Sequence, residues 1–281
     1  MEAIYELVQL IIKQEYDPAT ELDVQRTVLE PYIYHYLIEK YGPMLEAHWM
    51  FYIPPAKSDN VFVIVERRPH PNFKFIIQNI AWAAPHMAVY IFCSDENHAF
   101  INAVLGDKAP YFTIIEIFKG SVSPEEGKTQ YNNLLTNYQF YESIPANYMI
   151  TVQMDTIFRK KLPNSLFTGD YWGAPWAWQV EAAGGGGATI RRIAAMSALC
   201  RQFRPDISIP IDGVEDFWIS SKLPESSYPD LEFRKNHILE SVPAADPCIL
   251  HQFWTFSKDH SKIITRDQFI WFYTMLLTFT L

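Results

Sequence analysis

The order of apolar and polar positions divides the chain near residue 60. Before it, Ile4, Leu7 and Ile11 keep helical spacing, and Leu22 to Tyr41 carry a second amphipathic pattern that Gly42-Pro43 breaks. Pro54-Pro55 and Ser58-Asp59-Asn60 then read as a linker. From there the period changes. VFVIVE (61–66) is a continuous apolar run, as in a strand buried on both faces. Phe73 to Ala83 reads as a helix and MAVYIFC (87–93) as a second buried strand, with Ser94 capping a helix that runs to about Leu105. YFTIIEIF (111–118) predicts a third strand, Lys128 to Ser143 a further helix, and YMITVQM (148–154) a fourth strand. Strands alternating with helices of about 10–15 residues predict an α/β fold, a mostly parallel central sheet with helices on both faces. Residues 61–281 are expected to form that domain and residues 1–60 a helical N-terminal extension. Past residue 155 the pattern is irregular, except for a helix near Ile190–Phe203.

Composition narrows the partners. With 23 Lys+Arg against 32 Asp+Glu the formal charge is −9, which argues against sequence-independent binding to nucleic acid. Cys93, Cys200 and Cys248 are widely and irregularly spaced, which suggests reduced thiols and a cytoplasmic setting. MEAIYELVQLIIKQEYD reads as an amphipathic helix and not as a signal peptide. FIWFYTMLLTFTL (269–281) is uncharged but shorter than the roughly 20 residues that span a bilayer. It reads as a segment closing the core, with a membrane or partner contact as the alternative.

Ligands of open α/β sheets bind beyond the carboxyl ends of the strands, so the residues just after the strands are the candidates for chemistry. Glu66-Arg67-Arg68 follows the first strand; the arginines suit a phosphate and Glu66 a ribose or base. No GxGxxG and no GxxxxGK[ST] occurs, so neither a dinucleotide fingerprint nor a P-loop is supported. Gln153-Met154-Asp155 follows the fourth strand, where a carboxylate must be paired, hydrated or bound to a metal such as Mg²⁺ or Mn²⁺. Gly184 to Gly187 then stand beside Trp172, Trp176 and Trp178 and lead into Thr189-Ile190-Arg191. Four glycines suit a close approach of backbone to a ligand at a helix N-terminus, and the tryptophans suit the apolar face of a sugar or base. Glu215-Asp216 sets paired carboxylates before an apolar run, as a general base with an orienting partner or as a helix cap. His251 is a lone histidine in an apolar stretch.

In order, RPHP (68–71), Gln153-x-Asp155, DYWGAPW (170–176), the Gly184–Arg191 run, Glu215-Asp216 and His251-x-x-Trp254 resemble an uncharacterised glycosyltransferase-like domain family. Its elements are Q-x-D, D-Y-x-G-A-P-W, G-N-G-G-x-S-L-R, E-D and H-x-x-W, and the resemblance covers roughly residues 60–255. It implies a GT-A glycosyltransferase, distantly similar to the β-1,3-galactosyltransferase and Fringe group. The donor would be a nucleotide sugar and the acceptor a hydroxyl of a glycan or another molecule. By position, Asp155 and His251 would hold Mn²⁺ or Mg²⁺, with Asp216 the base and Glu215 its understudy. Glu66, Arg67, Arg68, Gln153 and Gly185, Gly186 and Gly187 would line the donor; Trp172, Trp176, Trp178 and Arg191 would line the acceptor. The chain departs from the pattern at Gly185, where the family has Asn, and at Gln153, where a full D-x-D would begin. The alternatives are a glycan-binding module that kept the fold without the chemistry, and a nucleotidyltransferase.

Overall fold

The computed structural model describes residues 22–242, 244 and 246–252. The expected helix around Ile4–Ile11, the apolar stretch 269–281 and the Phe253-Trp254 pair lie outside the described residues.

The alternating elements form as their patterns require. Strands β1 (Asn60–Glu66), β2 (Ala88–Ser94), β3 (Thr113–Phe118) and β4 (Tyr148–Val152) pair in parallel in the order β3-β2-β1-β4. Apolar side chains leave both faces of each strand. Phe62, Ile64, Val89 and Ile91 enter one core, and Val61, Val63, Ala88, Tyr90 and Phe92 enter a second core on the opposite face. Helices α1 (Leu22–Phe51) and α2 (Phe73–Ala83) cover the first. Helices α4 (Pro124–Leu135) and α5 (Tyr138–Glu142) border the second, in which Leu135, Phe140 and Tyr141 are buried. Helix α3 (Asp95–Leu105) starts where expected, with the Ser94 hydroxyl accepting from the Asn97 amide. The expected α/β class, a mostly parallel sheet with helices on both faces, is the class the chain adopts.

Two expectations are corrected. Gly42-Pro43 does not end α1, which contains both Pro31 and Pro43. A proline inside a helix costs about 3 kcal/mol or more, and here Leu37, Tyr41, Leu45 and Trp49 bury the helix against the core and offset it. Among the described residues no helix is long and apolar enough to cross a membrane.

The second correction bears on function. The glycine run is not a loop opening a helix: Gly185–Arg192 is a strand, β7, antiparallel to β4 and to β6 (Tyr171–Ala174). Helix α6 (Ile193–Phe203) begins only afterwards. Because β7 runs antiparallel to β4, its first residues lie at the carboxyl end of β4, with Val152 opposite Ala188. A small second sheet, β5 (Thr156–Phe158), β9 (Ile249–His251) and β8 (Ile238–Leu239), lies across that same end.

Candidate active site

The chain leaves β4 through Gln153, whose amide donates to the Gly187 carbonyl at 2.8 Å. Its side chain donates to the Tyr131 hydroxyl. Asp155 follows. The carbonyl of Met154 beside it accepts hydrogen bonds from the buried Tyr34 hydroxyl on α1 (3.0 Å) and from Asn72 (3.3 Å), which ties this turn to two helices. β5 then pairs with β9 so that Thr156 lies opposite His251. This register sets Nε2 of His251 3.2 Å from Oδ1 of Asp155. Gln252, held at a left-handed φ of 42°, donates from its side chain to Oδ2 of Asp155.

On the other edge of the imidazole, Nδ1 faces Oε2 of Glu240 at 3.5 Å. Neither contact has the geometry of a hydrogen bond, although both ring nitrogens are shielded from solvent. Burial disfavours a charge on His251, but the two flanking carboxylates outweigh it and raise its pKa to about 10. The strand of glycines is packed directly onto this group. A Cβ on Gly186 would overlap the Glu240 carboxylate and stand 2.8 Å from His251 Nδ1, and its φ of 95° also suits only glycine. A Cβ on Gly187 would overlap the His251 ring.

Asp216 packs against the same strand at Gly185 and Gly186. Helix α7 (Glu215–Ser220) carries it, and its Oδ2 accepts from the Gly186 amide at 3.2 Å while Oδ1 accepts from the Phe217 amide. It is not the helix cap; Val214 holds that position. Burial and the neighbouring Glu215 charge raise the Asp216 pKa to about 7, and the two amides offset them only in part. The edge of Trp176 abuts Gly185, on which Asp216 also packs. Its ring stacks on Trp178 at 5.8 Å and lies 6.2 Å from Phe217. Trp178 and Phe217 are 40% and 46% exposed, so they present an aromatic wall to solvent beside the carboxylate.

Other expected site residues are placed elsewhere. Trp172 is fully buried, donates to the Thr168 carbonyl and packs on Phe233, so it belongs to the core and not to a sugar wall. Arg191 is fully buried too, with its guanidinium on Glu215, Tyr141 and Thr189, so it cannot line an acceptor. That pairing also engages the Glu215 carboxylate, whose second oxygen accepts from the Asp216 amide. At the end of β1, Arg67 is held by Gln130, the Gly120 carbonyl and the Phe118 ring. Arg68 is exposed, pairs with Glu66 and lies within reach of the Asp155 charge.

The donor set fits a divalent ion in part. Two ligand atoms about 2.1 Å from one ion and at a right angle lie roughly 3 Å apart, and His251 Nε2 and Asp155 Oδ1 stand at that separation. Among the described residues no three His, Cys, Asp or Glu side chains converge as a metal cage. The pair suits an ion that takes its other ligands from a diphosphate and water. Glu240 and Gln252 escape sequence reasoning because they directly follow strands of two and three residues, too short for a periodic signal.

Comparison with known proteins adds little beyond this. A family model described as "Protein of unknown function (DUF5672)" matches residues 116–249. No curated protein matches the chain. Among solved structures, the apo form of mouse xyloside xylosyltransferase 1 superposes with a TM-score of 0.46 at 9% identity, over 69% of this chain and 97% of that one.

Proposed function

We propose that the chain is a GT-A-type glycosyltransferase that moves a glycosyl group from a nucleotide sugar to an acceptor hydroxyl with inversion. The observation that carries this reading is the convergence of Asp155, His251 and Asp216 from distant segments around the bare backbone of Gly185–Gly187, beyond the carboxyl end of β4. The ordered sequence elements shared with a glycosyltransferase-like family support it. Asp155 and His251 would hold Mn²⁺ or Mg²⁺, which supplies positive charge to the departing nucleoside diphosphate. Arg68 offers a second cation on the donor side. Asp216 accepts the acceptor's proton as the oxygen attacks the anomeric carbon, and its near-neutral pKa suits that task. One displacement inverts the centre. The aromatic wall of Trp178 and Phe217 holds the acceptor against Asp216, and Trp176 supports it from behind.

Calorimetry of the purified protein with UDP, GDP and dTDP, with and without Mn²⁺, tests the reading. One of them is expected to bind in a Mn²⁺-dependent manner, and Asp155→Asn to remove that dependence. Absence of binding by all three overturns the enzyme reading in favour of a glycan-binding module.

The wall makes its own prediction. Trp178→Ala is expected to raise the acceptor KM about 10-fold, as a stacked ring contributes on the order of 1–2 kcal/mol, and to leave nucleotide affinity unchanged. An unaltered acceptor KM across a panel of glycosides removes Trp178 from the acceptor site.

A further inference from the structure

Glu240 belongs to neither the sequence elements nor the roles given above, yet the fold aims it at the histidine of the site. Strands β8 and β9 run parallel with Leu239 opposite Leu250, so the next residue on each, Glu240 and His251, emerge side by side. Oε2 of Glu240 faces Nδ1 of His251 at 3.5 Å, while Asp155 faces Nε2 on the other edge of the ring. Both Oε2 and Nδ1 are shielded from solvent, and the missing Cβ of Gly186 leaves room for both groups. A carboxylate faces each ring nitrogen, so an ion that takes Nε2 beside Asp155 would displace the proton there, and Glu240 faces the one that remains on Nδ1. With the proton on Nδ1, the lone pair is on Nε2, toward Asp155.

We propose that Glu240 is a positioning residue for a divalent-ion site: its carboxylate, 3.5 Å from Nδ1 of His251, closes to accept the Nδ1–H once an ion takes Nε2, and so holds the imidazole with the Nε2 lone pair directed at the ion beside Asp155. The inference rests on the ion site of the preceding reading. Glu240 stands on the wrong edge of the ring to share that ion with Asp155 and acts only through His251. Carboxylates placed behind metal-binding histidines typically change metal affinity about 10- to 100-fold.

The test is a Mn²⁺ titration of the full chain followed by electron paramagnetic resonance, with no nucleotide or sugar present. Melting curves of each variant and ¹⁵N spectra of histidine-labelled protein accompany it. Glu240→Ala is expected to weaken Mn²⁺ binding about 10- to 100-fold. Glu240→Gln keeps an acceptor oxygen and should restore most of the affinity. In the Zn²⁺-loaded wild type the Nδ1 proton of His251 should exchange slowly with water, and in the Ala variant it should exchange fast. Unchanged Mn²⁺ affinity and unchanged Nδ1 proton exchange in the Ala variant, with binding abolished by Asp155→Asn, overturn the role of Glu240 and leave the ion site standing. A wild-type protein that takes up no Mn²⁺ overturns the site and the inference together. If the Ala variant does not fold, Glu240→Met, which keeps the bulk without a hydrogen-bonding oxygen, takes its place: the same losses are expected, and wild-type affinity and exchange overturn the role.

Discussion

Asp216→Asn is expected to lower glycosyl transfer by a factor of about 10² to 10⁴ while raising the melting temperature. Both effects have one cause. The carboxyl is held in a partly buried site beside Glu215, and its pKa stands at about 7 against an ordinary 3.8. Its native pKa lies above its unfolded value, so the native state holds the proton more tightly. The stability contributed by this group therefore falls as pH rises from about 4 to about 7, and the ionised form is a standing cost above that window. Asparagine keeps the acceptor oxygen for an amide and removes the charge. The gain should be on the order of 2 kcal/mol, or roughly 5 °C, at pH 8, and should shrink as the pH is lowered toward 4. Transfer by the wild type should climb with pH through about 7, because only the carboxylate can take the acceptor's proton. Calorimetric melting and initial rates across that range check both halves. A variant that transfers at the wild-type rate removes Asp216 as the base.

The distinction between what could be read in the sequence and what could not follows the physical range of each signal. Strands β1, β2 and β4 announce themselves because a strand buried on both faces must be apolar throughout, and VFVIVE needs no partner to be recognised. Asp155, Asp216 and His251 were legible as polar residues in places that otherwise favour apolar ones. The glycine run was misread. Glycine carries no side-chain period, so Gly184–Ala188 resembles a turn, and only pairing with β4 and β6 makes it a strand. Trp172 and Trp178 lie six residues apart in one tryptophan-rich stretch, yet one is sealed in the core and the other faces solvent. Trp172 is covered by Phe233, some sixty residues on, while Trp178 stacks on Trp176 at the surface, and no local pattern carries that difference. The same holds for Glu240, whose relation to His251 is the register of two short strands.

Arg191→Met is expected to be the most destabilising single change among the residues discussed, by about 3–5 kcal/mol, because it leaves the buried Glu215 carboxylate without its cation. The guanidinium lies fully buried, donating to Glu215 at 2.8 Å, to the Tyr141 hydroxyl at 2.9 Å and to Thr189 at 2.7 Å, with its face 5.1 Å from the Tyr171 ring. Removing only the arginine strands a charge; removing the charge as well should not. Arg191→Met with Glu215→Gln is therefore expected to recover a large part of the loss, and the coupling read from the cycle measures how much of the single-mutant cost was the orphaned carboxylate. Glu215→Gln alone supplies the functional half of the test. Its charge is one of the causes that raise the Asp216 pKa, so its loss should move the rise of activity to lower pH while leaving the base in place. A Glu215→Gln variant that abolishes transfer at every pH would instead make Glu215 the base. In that case the Arg191 pair would be catalytic machinery rather than the support beneath Asp216.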